Sequence, residues 1–157
     1  MKRINCTLLL MFSVCVLVFS SCKNDNTNIP IPQTAATSIS LKFSGNQYTS
    51  TAATAIYNKN LDAIQIGSLL GVTAYINLII PNVKVGTFDL SGGDASLSFY
   101  NGTTSVPDTF FSTSGSIVIS EFTNTTIVGT FQFTGVDSLN VTRPITEGQF
   151  TTSYTTQ

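Results

Sequence analysis

From Thr37 onward, apolar side chains recur at every second position nearly throughout, and this period constrains the fold more than any other feature of the chain. Ile39, Leu41 and Phe43 alternate with Ser38, Ser40 and Lys42. Val72, Ala74, Ile76, Leu78 and Ile80 form the longest clean run. Successive side chains of a strand point to opposite faces, so each run describes a ribbon with one buried side. Ser44-Gly45-Asn46 predicts a turn, followed by a more polar strand from Gln47 to Tyr57. Asn58-Lys59-Asn60 predicts a hairpin connection into a strand over Leu61–Ser68. Ser91-Gly92-Gly93 predicts a hairpin between Val85–Leu90 and Asp94–Tyr100. Asn101–Ser114 reads as a loop containing Phe110-Phe111, with Ile117 and Ile119 in the strand beyond it. Thr123-Asn124-Thr125 turns the chain into Ile127–Phe133. Gly135–Ser138 turns it again, into Leu139–Thr142 and Ile145–Tyr154. No stretch carries a helical stripe. The expectation is an all-β domain, a single antiparallel β-sandwich or partly closed barrel of about 8–10 strands, with no substantial helix in the mature part.

Gly86-Thr87-Phe88 recurs as Gly129-Thr130-Phe131 and, more loosely, as Gly148-Gln149-Phe150. Glycine at a strand entry permits a bulge or a close backbone approach, and the phenylalanine is expected to plug the core. Each buried Phe or Ile contributes roughly 1.5–3 kcal/mol by leaving water.

The N-terminus is built differently. Lys2 and Arg3 precede an apolar run from Leu8 to Phe19, interrupted only by Ser13, and Ser20-Ser21 lead into Cys22. A charged start, an apolar middle and small residues are the parts of a secretory signal. The run is shorter than the ~20 residues a spanning helix needs. The arrangement resembles the signal peptide and lipobox of bacterial lipoproteins. That resemblance implies cleavage before Cys22, a diacylglycerol on its thiol and an acyl chain such as palmitate on its new amine. Each buried CH₂ is worth about 0.8 kcal/mol and one chain anchors only marginally, so several chains would make attachment effectively permanent. The expected organisation is a signal over 1–21, an acylated Cys22 with a flexible tether over 22–36, and one domain over 37–157. Pro30 and Pro32 favour an extended tether.

Cys6 and Cys15 would leave with the signal, so the mature chain would hold no free thiol and no disulfide. The absence of histidine removes Ser–His and Cys–His catalysis and the commonest zinc ligand. The few basic residues beyond Cys22 are outnumbered by eight acids, so nucleic-acid binding has no electrostatic basis. Asp89 and Asp94 could offer oxygens to Ca²⁺, but at a spacing that matches no calcium loop, so no metal site is expected. Glu121 and Glu147 would serve as an acid–base pair only if the fold brought them together. The chain is therefore expected not to be an enzyme, and to carry no cofactor apart from the covalent lipid on Cys22. Tyr48, Tyr57, Tyr75, Tyr100 and Tyr154 are the candidate ligand-facing residues, because tyrosine presents a flat apolar ring with a polar tip.

Gly115-Ser116-Ile117-Val118-Ile119, Ile127-Val128-Gly129-Thr130-Phe131-Gln132-Phe133, Val141 and Glu147-Gly148-Gln149-Phe150 together resemble an uncharacterised family of Bacteroidetes lipoprotein domains. The opening Leu41-Lys42-Phe43-Ser44-Gly45-Asn46-Gln47-Tyr48 is similar to that family's first hairpin. The resemblance implies an all-β fold and lipid anchorage at the outer membrane, on the periplasmic or extracellular face, and supplies no chemistry. Lys23-Asn24-Asp25 is similar to the tags that send such lipoproteins to the cell surface. Asp137-Ser138-Leu139 resembles the O-glycosylation acceptor of the same phylum, with Ser138 as the modified residue. The expected role is a non-catalytic binding domain for an extracellular glycan or protein. The alternatives are a structural or assembly component of the envelope and a small barrel enclosing an apolar ligand.

Overall fold

The computed structural model describes residues 36–102 and 109–157. The expected Cys22 anchor, the signal and nearly all of the tether lie outside them. The described part is all-β. It forms one 11-stranded sheet, strongly curled and open, with the order β11-β3-β4-β5-β7-β8-β9-β10-β1-β2 and β6 paired to β8. The strands are β1 (Ser38–Phe43), β2 (Asn46–Ser50), β3 (Thr54–Asn58), β4 (Ala63–Leu70), β5 (Ala74–Pro81) and β6 (Gly86–Asp89). They continue with β7 (Ser96–Tyr100), β8 (Thr109–Phe122), β9 (Thr126–Val136), β10 (Thr142–Ser153) and β11 (Thr155–Thr156). Among the described residues no helix is long and apolar enough to cross a membrane.

The alternation read from the sequence holds where it was cleanest. Ile39, Leu41 and Phe43 of β1 are buried, as are Ala74, Ile76, Leu78 and Ile80 of β5. Facing strands add Ile64, Ile66, Phe99, Ile117, Ile119 and Phe150 to one core. Aromatic contacts knit distant strands across it. Phe43 sits 5.0 Å from Phe99 and 5.1 Å from Phe110 between ring centroids, and Tyr48 meets Phe99 edge-on at 5.4 Å. Among the described residues no buried side-chain polar atom lacks a partner.

Several boundaries differ from the expectation, each through local hydrogen bonding. The polar strand from Gln47 to Tyr57 is broken at Thr51–Ala53, where the Ser50 hydroxyl accepts the Ala52 amide at 3.1 Å and bends the chain. β2 and β3 then pair at opposite ends of the strand order. A three-residue link reaches only about 14 Å, so the two ends of the sheet must lie close together, and this is what the curl accomplishes. Thr152 supports the junction by donating its hydroxyl to the Ala53 carbonyl at 3.3 Å. Val72 falls in the turn between β4 and β5 and is exposed, and β4 begins two residues later than the pattern predicts.

Ser91-Gly92-Gly93 does not make a hairpin. Asp89 takes the Ser91 amide and hydroxyl on one carboxylate oxygen, both at 2.8 Å. The Asp94 amide then returns to the Asp89 carbonyl at 3.1 Å. The compact loop sets β6 and β7 end to end along β8, where β6 pairs with residues 116–119 and β7 with residues 109–111. β8 is therefore a 14-residue strand that includes the expected loop residues from Thr109. Phe110 faces the core and Phe111 faces outward, 59% exposed. Leu139 lies in a turn rather than a strand and is exposed.

Candidate functional site

The outer face of β4, β5, β7 and β8 collects planar rings and amides in register. One row across these strands reads Leu69, Tyr75, Tyr100 and Thr109. The next reads Gly67, Asn77, Ser98 and Phe111. The third reads Gln65, Ile79 and Ser96. The alternation that sends Ile64, Ile66, Ile76, Leu78, Leu97 and Phe99 inward leaves these residues on the other side. Residues directly opposite in an antiparallel pair stand with Cβ atoms about 4.5–5.5 Å apart, so Tyr75 and Tyr100 are neighbours.

Tyr75 is 41% exposed and its hydroxyl end lies over Gly67, where a side chain would collide with it. The ring thus crosses β4 and presents a face to solvent. Beside it the Gln65 amide donates to Asn77 Oδ1 at 2.8 Å. That bond consumes one donor and one acceptor, and it fixes two amides whose remaining polar atoms can serve a ligand. Neither amide was singled out in the sequence, although both sit at outward positions of the alternation.

The other tyrosines lie elsewhere. Tyr57, Phe122 and Tyr154 form a cluster with centroids 5.5–5.9 Å apart. The Tyr57 hydroxyl donates to Asp62 at 2.7 Å, and this bond, with lesser help from burial and the Asp62 charge, raises the phenol's pKa above its ordinary value. Burial raises that of Tyr154, whose hydroxyl donates to the Thr123 carbonyl. Tyr48 packs on Phe99. The five tyrosines therefore divide between three places: Tyr75 beside Tyr100 on the outer face, Tyr57 beside Tyr154 in the cluster with Phe122, and Tyr48 against Phe99.

A second feature lies on the outer face of β8, β9, β10 and β1. An open trough of about 520 Å³ is lined by Ser116, Val118, Thr130, Gln132, Glu147 and Gln149 among others. A smaller one of about 320 Å³ adjoins it, sharing Thr130 and Gln149. Glu147 holds Lys42 at 3.0 Å on the rim. Glu121 belongs to β8 and Glu147 to β10, with β9 between them.

Asp89 and Asp94 close their own loop. The Ser91 hydroxyl and amide hold the Asp89 carboxyl below the usual carboxylate range. Among the described residues no group of three or more potential metal ligands occurs. Ser138 is exposed at the tip of a turn that Asp137 organises from beneath, accepting the Leu139 and Val141 amides at 2.9 and 2.8 Å.

Comparison with known proteins places residues 35–153 within a family described as Domain of unknown function (DUF6252). No curated protein and no solved structure matches the chain.

Proposed function

Because the chain belongs to the Domain of unknown function (DUF6252) family, whose description carries no chemistry, we propose from its own surface that it is a non-catalytic module that binds an extracellular glycan. The observation that carries this reading is the pairing of Tyr75 and Tyr100 on one outer face beside the hydrogen-bonded amides Gln65 and Asn77. A sugar ring offers an apolar C–H face and a rim of hydroxyls. A flat phenol matches the face and fixed amides match the rim.

Lipid anchorage at Cys22, with the domain held at the outer membrane, completes the proposal. Lys2, Arg3, the apolar run and Ser20-Ser21 before Cys22 support it. We also read the curled sheet as a partly closed barrel rather than a sandwich. Thr51–Ala53 joins strands at its two ends, and β11 pairs with β3 one residue after β10 ends.

Affinity electrophoresis through gels holding a panel of bacterial, plant and mucin polysaccharides tests the binding. At least one should retard the protein, and Tyr75→Ala or Asn77→Ala should weaken that retardation about ten-fold or more, a loss of about 1.4 kcal/mol. Unchanged retardation in both variants, or none with any polysaccharide, would remove the assignment. Cys22→Ser should abolish labelling by a fatty-acid analogue.

A further inference from the structure

The strands that hold Tyr75 and Tyr100 carry no charge. β3, β4, β5 and β7 contain no acidic or basic residue, and the single acid of β8, Glu121, stands near that strand's far end. The β3–β4 turn beside this face holds Lys59 and Asp62, whose charges are opposed. At physiological salt the field of an exposed charge is largely screened beyond about 8 Å. A ligand lying on these strands meets apolar side chains, amides and hydroxyls, and no countercharge.

The apolar side chains also have a direction. Leu69, Tyr75 and Tyr100 lie opposite one another on successive strands, and Phe111 follows on β8, across from Ser98. All four are exposed. Strands stand about 4.8 Å apart, so this band crosses four strands over about 14 Å, close to the length of about three sugar units in an extended chain. The Gln65–Asn77 amide pair lies alongside the band. A lipid or an apolar protein face would cover the remaining donors and acceptors of those amides without pairing them, whereas a hydroxyl-rich chain pairs them.

We infer that the occupant of this face is a neutral, extended polysaccharide whose chain crosses the strands from Leu69 to Phe111. The inference rests on the glycan reading above and adds the class of glycan. Charge complementarity selects it. A carboxylated, sulfated or phosphorylated chain would give up water at each anionic group and gain no cation in return. An uncharged chain gives up only hydroxyl hydration, which Gln65 and Asn77 replace, and lays its apolar ring faces on Tyr75 and Tyr100.

Affinity gels at about 0.15 M salt test the class. Each polysaccharide that retards the full chain runs beside its own counterpart, sulfated if neutral (native against sulfated mannan), carboxyl-reduced or desulfated if acidic. The uncharged form should bind about ten-fold or more tightly. Ser96→Lys sets a cation on the exposed face opposite Ile79 and should narrow that gap about three-fold or more. Asn124→Lys adds the same charge in the turn at the far end of β8 and should leave the gap as it was. A gap that is absent or reversed, or that both lysines close equally, would overturn the inference, and the glycan reading would survive it if Tyr75→Ala still weakened the binding. Retardation by neither form of any polysaccharide would remove both, and a doubled mass in sedimentation or flotation with phosphatidylcholine vesicles would then assign the face to a second copy or to lipid.

Discussion

Phe150 stands directly across from Gly129 on neighbouring strands, and its ring fills the space in which a Gly129 side chain would begin. A Cβ built there would come within 2.6 Å of the ring's Cζ and 2.5 Å of the Val118 carbonyl oxygen. The relationship is repeated in reverse one turn of the pattern away, where Gly148 lies opposite Phe131 and beneath its ring. The two rings stack, with centroids 6.3 Å apart and planes 27° from parallel. In its second and third copies the glycine–phenylalanine spacing is thus a packing device in which each strand lends the other a gap for its ring, whereas Gly86 of the first copy has open space beside it.

Gly129→Ala should cost about 1–3 kcal/mol, because the added methyl meets both the Phe150 ring and the backbone carbonyl of Val118. Phe150→Ala should cost about 3–5 kcal/mol by leaving a cavity. The double variant should lose less than the two losses added together, since removing the ring relieves its share of the clash while that with the Val118 carbonyl remains. Urea denaturation provides the comparison, and strict additivity would show that the two sites are independent.

Glu147 occupies the left-handed region with φ of 52°, beside the register shift between Ile145 and Gly148. That conformation costs a residue with a Cβ roughly 1–2 kcal/mol. Its ion pair with Lys42 joins side chains 40% and 61% exposed, and such a pair returns about 0–1 kcal/mol. Strain wins, so Glu147→Gly should be neutral or stabilising. Glu147→Ala keeps the strain and loses the pair, so it should fall about 1 kcal/mol below the glycine variant. Equal melting temperatures for the two variants would contradict this account.

Asp137 is 8% exposed and its carboxylate receives two backbone amides. Asp137→Ala should destabilise by about 1–3 kcal/mol by leaving those donors unpaired. Asp137→Asn retains an acceptor oxygen and should lose less. Ser138→Ala, at the exposed tip, should stay within about 0.5 kcal/mol of wild type. A destabilised Ser138→Ala would show that the serine itself holds the turn. Intact-mass measurement of protein from its native host reports whether Ser138 carries a glycan.

Asp89 should titrate below an ordinary aspartate, because the folded loop binds its charged form through Ser91. A carboxyl depressed in this way contributes stability that is fully present above its unfolded pKa of about 3.9 and is lost as pH falls through the lower folded value. Ser91→Ala should move the Asp89 carboxyl resonance upward in an NMR titration and narrow that acidic window. An unchanged titration would assign the depression to another group.

Much of this could be read without coordinates. The alternation of Ile39, Leu41 and Phe43 and that of Ala74 to Ile80 name the inward face correctly, because a half-buried strand needs only its own period to do so. The pairing of strands could not be read. Ser91-Gly92-Gly93 has the composition of a hairpin, yet Asp89 and Asp94 use their carboxylates to close the loop locally and β6 joins β8 instead. Thr51–Ala53 looked like the middle of a strand, and one hydroxyl bond from Ser50 splits it. At the candidate site Tyr75 and Tyr100 were legible as residue types. That they are neighbours, and that Gln65 and Asn77 flank them, depends on the register of three strands.

By itself, then, the amino-acid order settled the all-β class, most of the inward residues and the absence of thiol and imidazole from the domain. Those are properties of composition and short-range period. Tertiary structure alone decided which strands adjoin, how the sheet curls until β2 and β3 can be joined by three residues, and which side chains share an outer face. Backbone hydrogen bonds are chemically alike at every position, so strand partners are chosen by long-range packing of the core and by a few side chains that capture local amides.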